Sequence, residues 1–223
     1  MISVIESISS DRQVERPEGA ERFMLWDADW ETYDLLRNRL LDRPIRLTFD
    51  GKNLEIMSPS LWHEVVSSML GRFVERLAEE LGCPVVNGGT MTFRRRDLQR
   101  GLEPDKCFWI SHEPLVRGRR ILDLNTAPPP DLVIEVDVTR SSLNRIDIYS
   151  RLGVQEIWRC DGQRLEVLLR QESGTYLSAR RSAVFPFLPA AELVKFLPAD
   201  ETQTDLECLR KFLSWVRPLI PAN

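Results

Sequence analysis

Residues 131–138, with the sequence DLVIEVDV, constrain the fold of this chain more than any other segment. The segment is rich in β-branched residues and predicts a strand, in which successive side chains point to opposite faces. One face would carry Leu132, Ile134, Val136 and Val138. The other face would carry Asp131, Val133, Glu135 and Asp137. Three carboxylates on one face repel one another unless a cation or bound protons offset their charge.

Two interpretations of this acidic face stay open from the spacing alone. In the first, it is the solvent face of an edge strand, where acidic side chains discourage pairing with other chains. In the second, Val133 and the helix predicted downstream cover the face, and unpaired carboxylates there are costly. A divalent cation with oxygen ligands, Mg²⁺ or Mn²⁺, would then offset the charge. Glu103-Pro104-Asp105 precedes the apolar segment KCFWI and can bring a further carboxylate to the same place.

The remaining segments predict an α/β (α+β) fold. Apolar residues at helical spacing predict a helix after Asp27 that ends before Pro44, a long helix from Ser60 to Gly82, and a last helix over 204–216. Short alternating segments around Asp50-Gly51 predict a hairpin. We expect a mixed, curved β-sheet flanked by helices, with the first helix and the hairpin at its N-terminal side. The polar residues 1–22 predict a flexible arm, and residues 23–223 a single domain.

Composition favours a cytoplasmic protein without a membrane segment. No apolar stretch approaches 18 residues, and the N-terminus is too polar for a secretory signal. The four cysteines are far apart in the sequence and contain no CxxC pair, so we expect reduced, mostly buried thiols. Of the 30 basic residues only four are lysines, Lys52, Lys106, Lys195 and Lys211, and we expect none of them near the acidic strand.

The basic residues are unevenly distributed along the chain. The formal net charge is −4, yet residues 94–120 hold eight Arg or Lys against four Asp or Glu. Such a stretch could form a basic wall that binds a nucleic-acid backbone. An ordinary group of solvated arginines explains the composition equally well, and both interpretations stay open.

Several motifs taken together resemble the Uma2 family of restriction-endonuclease-like proteins, within the PD-(D/E)xK nuclease superfamily. The resemblance covers residues 25–216, and its most specific part is 128–162. The segments that carry it are LEIMSPS, GLEPD, PPPDLVIEVDVTRSSL, IYSRLGVQEIWRCDG, LEVLL and FPFLP. It implies a restriction-endonuclease-like fold, an endonuclease that hydrolyses phosphodiester bonds with Mg²⁺ (or Mn²⁺), and a homodimer. A nucleic acid is the implied partner, DNA before RNA.

The resemblance assigns roles residue by residue. Pro104-Asp105 matches the PD element and Glu135 the second acid, so Asp105, Glu135 and the main-chain carbonyl of Val136 would hold the metal. The position two residues after Glu135, normally Lys, is Asp137. Asp137 would join the metal ligands or orient the cation.

In family members with this arrangement, the cation lies on the next helix, four residues before a tyrosine. Here that pair is Arg145 and Tyr149. Arg145 would orient the scissile phosphate or stabilise the transition state, but it stays protonated and cannot act as a general base.

Three further residues are auxiliary candidates. His63 lies in the first turn of the long helix, where a structural hydrogen bond is the alternative to a catalytic role. Glu103 accompanies Asp105, and Asp131 begins the acidic strand, where it could equally be a turn residue. Two other functions stay open: a catalytically inactive protein of the same fold that binds nucleic acid, and a dimeric interaction scaffold in which the acidic strand is structural.

Overall fold

Eleven strands form two β-sheets in the computed structural model, which describes residues 21–137 and 143–221. The strands are β1 (Glu21–Leu25), β2 (Arg46–Phe49), β3 (Leu54–Ser58), β4 (Val86–Asn87), β5 (Phe93–Arg95), β6 (Arg100–Leu102), β7 (Lys106–Trp109), β8 (Leu132–Val136), β9 (Glu156–Cys160), β10 (Leu165–Arg170) and β11 (Tyr176–Ala179). The first sheet is antiparallel, with the order β1-β3-β2-β6-β5. The second is mixed, with the order β11-β10-β9-β8-β7-β4.

The first sheet contains the predicted hairpin, β2 and β3, around Asp50-Gly51. The hairpin therefore belongs to a separate sheet instead of extending the main one. Strand β1 pairs with β3 along its whole length and includes Glu21 and Arg22, the last two residues of the predicted arm. The rest of that arm, residues 1–20, lies outside the described part of the chain, as does Val138.

Five α-helices surround the two sheets within the described ranges. They are α1 (Trp30–Arg39), α2 (Leu61–Leu81), α3 (Glu113–Val116), α4 (Arg145–Leu152) and α5 (Asp205–Val216). Local sequence sets the ends of α2: the Ser60 hydroxyl accepts a hydrogen bond from the amide of His63, and Gly82 ends the helix with a φ of 60°. Two 3₁₀ turns, Ala190–Phe196 and Arg217–Leu219, lie before and after α5. This mixed α+β architecture is consistent with a restriction-endonuclease-like fold.

Strand β8 lies inside the second sheet, antiparallel to β7 and parallel to β9. All five of its residues are buried. Leu132, Ile134 and Val136 pack in one core cluster with residues of α2 and α5, and Val133 packs in another with residues of α4. The edge-strand interpretation of the acidic face is therefore wrong, because β8 is paired along both edges and all five of its residues are buried.

One lysine lies closer to this strand than the sequence predicted. Lys106 begins β7 and is paired with Ile134 of β8, so the expectation that no lysine lies near the acidic strand is wrong. Its methylene chain runs beside Gly71 of α2, where a Cβ atom would lie 3.5 Å from Cγ of Lys106. The side chain thus lies on the α2 face of the sheet, the opposite face from Glu135.

The cysteines agree with a simpler expectation from the sequence. All four thiols are free, and Cys107, Cys160 and Cys208 are buried. None of the helices in the described ranges combines the length and the apolar character that crossing a membrane requires.

Candidate active site

Two carboxylates face each other across adjacent strands of the second sheet. Asp105 immediately precedes β7, and the register that pairs Lys106 with Ile134 places Asp105 opposite Glu135 of β8. Both side chains are buried, with relative exposures of 3% for Asp105 and 7% for Glu135. The structure therefore brings together the two acids that the family motif identifies, and it does so through strand pairing between segments 30 residues apart in sequence.

Asp105 is held at one of its two oxygens. Oδ2 accepts a hydrogen bond of 2.7 Å from the amide of Val136 and lies 3.2 Å from Nε2 of His63. Burial alone would raise the pKa of this carboxyl, but His63, the charge of Arg145 and the Val136 amide together lower it below its ordinary value. Asp105 is thus kept ionised inside the protein.

Glu135 is also held at one oxygen. Oε1 accepts a 2.7 Å hydrogen bond from Nη2 of Arg145 and another from the hydroxyl of Tyr149. Burial and the nearby charge of Asp105 raise the pKa of Glu135, and they outweigh the lowering by Arg145 and Tyr149. The two carboxylates therefore have pKa values shifted in opposite directions, as is common at functional sites.

Arg145 is fixed by groups from both sheets. Besides Glu135, its guanidinium donates through Nη2 to the main-chain carbonyl of Glu103 at 2.7 Å and through Nη1 to the hydroxyl of Thr48. Its side chain is only 13% exposed. Sequence patterns do not indicate a role for Thr48, because it lies 97 residues before Arg145 on a strand of the other sheet.

Asp105, Glu135 and Arg145 line a cleft of about 140 Å³. Its lining includes Arg22, Met57, His63, Asp105, Glu135, Val136, Asp137, Leu143, Asn144, Arg145, Ile146 and Arg159. Asp137, which occupies the position of the usual lysine, forms an ion pair of 3.5 Å with Arg22, and Arg22 also donates to Glu55. Asp137 therefore lies at the cleft and forms an ion pair with Arg22 of β1, and its role in metal binding or in orienting Arg145 stays a prediction.

Two auxiliary candidates point elsewhere. The carboxylate of Asp131 accepts hydrogen bonds from the amides of Ile110 and His112, at 2.6 and 3.0 Å, beyond the opposite end of β8. The carboxylate of Glu103 accepts from the amide of Leu47 and the hydroxyl of Thr92, and its main-chain carbonyl accepts the hydrogen bond from Arg145. Neither residue is among those that line the cleft.

Comparison with known proteins agrees with this geometry. Residues 30–202 match the model of the Uma2 family, which is described as "Putative restriction endonuclease". The chain belongs to the Uma2 family. The match includes Asp105, Glu135, Arg145 and Tyr149, whereas Arg22, which also lines the cleft, lies before the matched residues. A comparison with curated proteins finds no match.

The carboxylates of this Uma2 protein fit a hard divalent cation. Oδ1 of Asp105 and Oε2 of Glu135 accept no hydrogen bond from any residue that the structure describes. Nowhere in the described ranges do three or more His, Cys, Asp and Glu side chains form a cluster that could hold a metal. Mg²⁺ commonly binds through one or two carboxylates and completes its shell with water and substrate oxygens. Asp105, Glu135 and the main-chain carbonyl of Val136 are therefore enough ligands for such an ion.

None of the arginines of residues 94–120 in this Uma2 protein is among the residues that line the described part of the cleft. Arg94 pairs with Asp34, and Arg96 with Glu31, both at 2.8 Å. Both arginines line a separate groove of about 920 Å³ beside α1. Local carboxylates therefore offset much of the charge that the composition predicted for a basic wall.

Proposed function

We propose that this Uma2 protein is an endonuclease that hydrolyses phosphodiester bonds of DNA with Mg²⁺ or Mn²⁺. The observation that supports it best is the pair of buried carboxylates, Asp105 and Glu135, each held at one oxygen and without a hydrogen-bond donor at the other among the described residues. The family description supports a nuclease, and the metal and the DNA substrate are added by this proposal. A homodimer, which the family resemblance implies, and a cytoplasmic location, which the sequence predicts, are parts of it.

In this proposal, Asp105, Glu135 and the carbonyl group of Val136 hold the cation. A bound Mg²⁺ or Mn²⁺ would supply an activated water and would polarise the phosphoryl oxygen. His63 and the Val136 amide orient Asp105 and favour its charged form. Tyr149 and Arg145 orient Glu135. They also favour the ionised form of this carboxyl, which burial alone would oppose.

Arg145, the cation in place of the usual lysine, supports the charge of the two carboxylates. Its buried guanidinium balances the charge of Glu135 and, less directly, that of Asp105. Since arginine stays protonated at any ordinary pH, it cannot take a proton from water. We therefore propose that Arg145 acts as electrostatic support for the carboxylates, and that a water or substrate oxygen serves as the proton acceptor.

Incubation of supercoiled plasmid DNA and of RNA with the wild-type protein tests this function, with Mn²⁺ and then with EDTA. We expect metal-dependent nicking of the plasmid by the wild type and none by Asp105→Asn. An inactive protein that binds nucleic acid would retard DNA without cutting it, and a scaffold would do neither. Equal nicking by wild type and Asp105→Asn would identify a contaminating nuclease and contradict the proposal.

A further inference from the structure

A third charged side chain lies beside the two carboxylates on the next strand. The parallel pairing of β8 with β9 places Arg159 in register with Glu135. Because Ile157 and Val133 are likewise paired and pack in one core cluster, Arg159 and Glu135 emerge on the same face of the sheet. Asp105, Glu135 and Arg159 thus form a row across three neighbouring strands, and all three line the cleft.

Arg159 differs from the other two arginines that line the described part of the cleft. Its side chain is 48% exposed, against 13% for Arg145 and 14% for Arg22. Arg145 has both Nη atoms engaged by protein groups, and Arg22 forms ion pairs with Glu55 and Asp137. An anion that enters the cleft therefore meets the guanidinium of Arg159 most readily.

The contact that holds Arg159 is easily exchanged. Nη2 donates to Glu166 of β10 at 2.6 Å, and the Glu166 side chain is 37% exposed. Solvent-exposed ion pairs of this kind contribute little to stability, so an incoming phosphate can replace the carboxylate at low cost. The planar guanidinium also matches a phosphate group with two parallel hydrogen bonds.

We infer that Arg159 binds a phosphate of the nucleic-acid substrate beside the Asp105–Glu135 pair. This inference rests on the proposed nuclease function and adds a substrate-binding residue to it. The buried Arg145 supports the carboxylates, and the exposed Arg159 contacts the substrate. The two arginines, which lie on different elements, thus have separate tasks.

Binding of a short fluorescein-labelled DNA duplex, measured by fluorescence anisotropy with Ca²⁺ in place of Mg²⁺, tests this assignment. Arg159→Gln should raise the Kd about 10- to 100-fold, the range for a lost hydrogen bond to a charged group. Arg159→Lys should recover part of the affinity. Glu166→Gln, which removes the competing carboxylate, should tighten binding. Arg164→Gln removes the same charge from the exposed turn between β9 and β10, outside the cleft, and should leave the Kd close to that of the wild type.

The salt dependence and the metal affinity separate the possible outcomes. Loss of one phosphate contact should reduce the slope of log Kd against log salt by about 1, while Mn²⁺ binding stays unchanged. If the wild type cuts DNA and Arg159→Gln matches Arg164→Gln in Kd and salt slope, the assignment of Arg159 is wrong and the nuclease function stands. If the wild type neither binds nor cuts nucleic acid in metal, the proposed function fails, and this inference with it.

Discussion

Nε2 of His63 lies 3.2 Å from Oδ2 of Asp105, with both side chains at most 3% exposed. Burial alone would lower the pKa of His63, but close contacts with Asp105 and Glu64 and their negative charges raise it to about 9. The helix α2 thus places a protonated imidazole against the first carboxylate of the site. This relationship holds Asp105 at Oδ2, beside the cleft that the residue lines.

The free energy of unfolding of the metal-free protein should fall as the pH rises from about 6.5 to about 9. The pKa of His63 is raised on folding, so protonated His63 stabilises the folded state. This stabilisation is complete below the ordinary pKa of 6.5 and is lost as the pH rises through about 9. The loss should be on the order of 2–3 kcal/mol. Urea unfolding in EDTA across this range measures it. His63→Gln and Asp105→Asn should both flatten the curve; a slope unchanged in His63→Gln would refute the ion pair.

Tyr149→Phe should weaken metal binding while the fold persists. The variant removes the hydroxyl that donates to Glu135, and loss of such an orienting partner typically reduces metal affinity about 10-fold or more. Calorimetric titration with Mn²⁺ measures this effect. Tyr176→Phe is the matched control, because its hydroxyl donates to the Val154 carbonyl at 2.6 Å, away from the cleft. Equal Mn²⁺ affinities for the two variants would show that Tyr149 does not orient a ligand.

Arg145→Gln should destabilise the protein by about 3–5 kcal/mol, because it leaves Glu135 buried without its cation. The double variant Glu135→Gln/Arg145→Gln should be less destabilised than the sum of the two single variants. Thermal and urea unfolding provide the comparison. Arg151→Gln removes an exposed partner of Asp147 on the same helix and should cost about 1 kcal/mol at most. Strict additivity in the double variant would contradict a direct coupling between Arg145 and Glu135.

The sequence predicted the parts of this site that depend on local pattern. Strand β8, helix α2 with its Ser60 and Gly82 ends, and the candidate pair Asp105 and Glu135 all follow from periodicity, capping residues and the family motif. The sequence did not predict that β8 is paired on both edges. An edge strand and an inner strand could both have this sequence, because they differ only in which strands lie beside them. The pairing register of two distant segments cannot be predicted from the sequence of either segment alone.

The contributions of Thr48 and Arg159 could not be predicted for the same reason. Thr48 contacts Arg145 because the two sheets meet at this point. The local sequence of β2 does not indicate that the hydroxyl of Thr48 accepts a hydrogen bond there. Arg159 had a weak signal, since an arginine stands between the apolar residues Trp158 and Cys160 of a predicted strand. Its position beside Glu135 became evident only from the parallel register of β8 and β9.

Calorimetric titration with Mn²⁺ tests the central claim, a metal site built from Asp105 and Glu135, most directly. The wild type should bind Mn²⁺ in the millimolar range or tighter, and Asp105→Asn should show no binding heat. Asp147→Asn is the control, because it makes the same charge change on the exposed side of α4. It should bind Mn²⁺ as the wild type does. Absence of binding by the wild type, or equal binding by Asp105→Asn, would contradict the account.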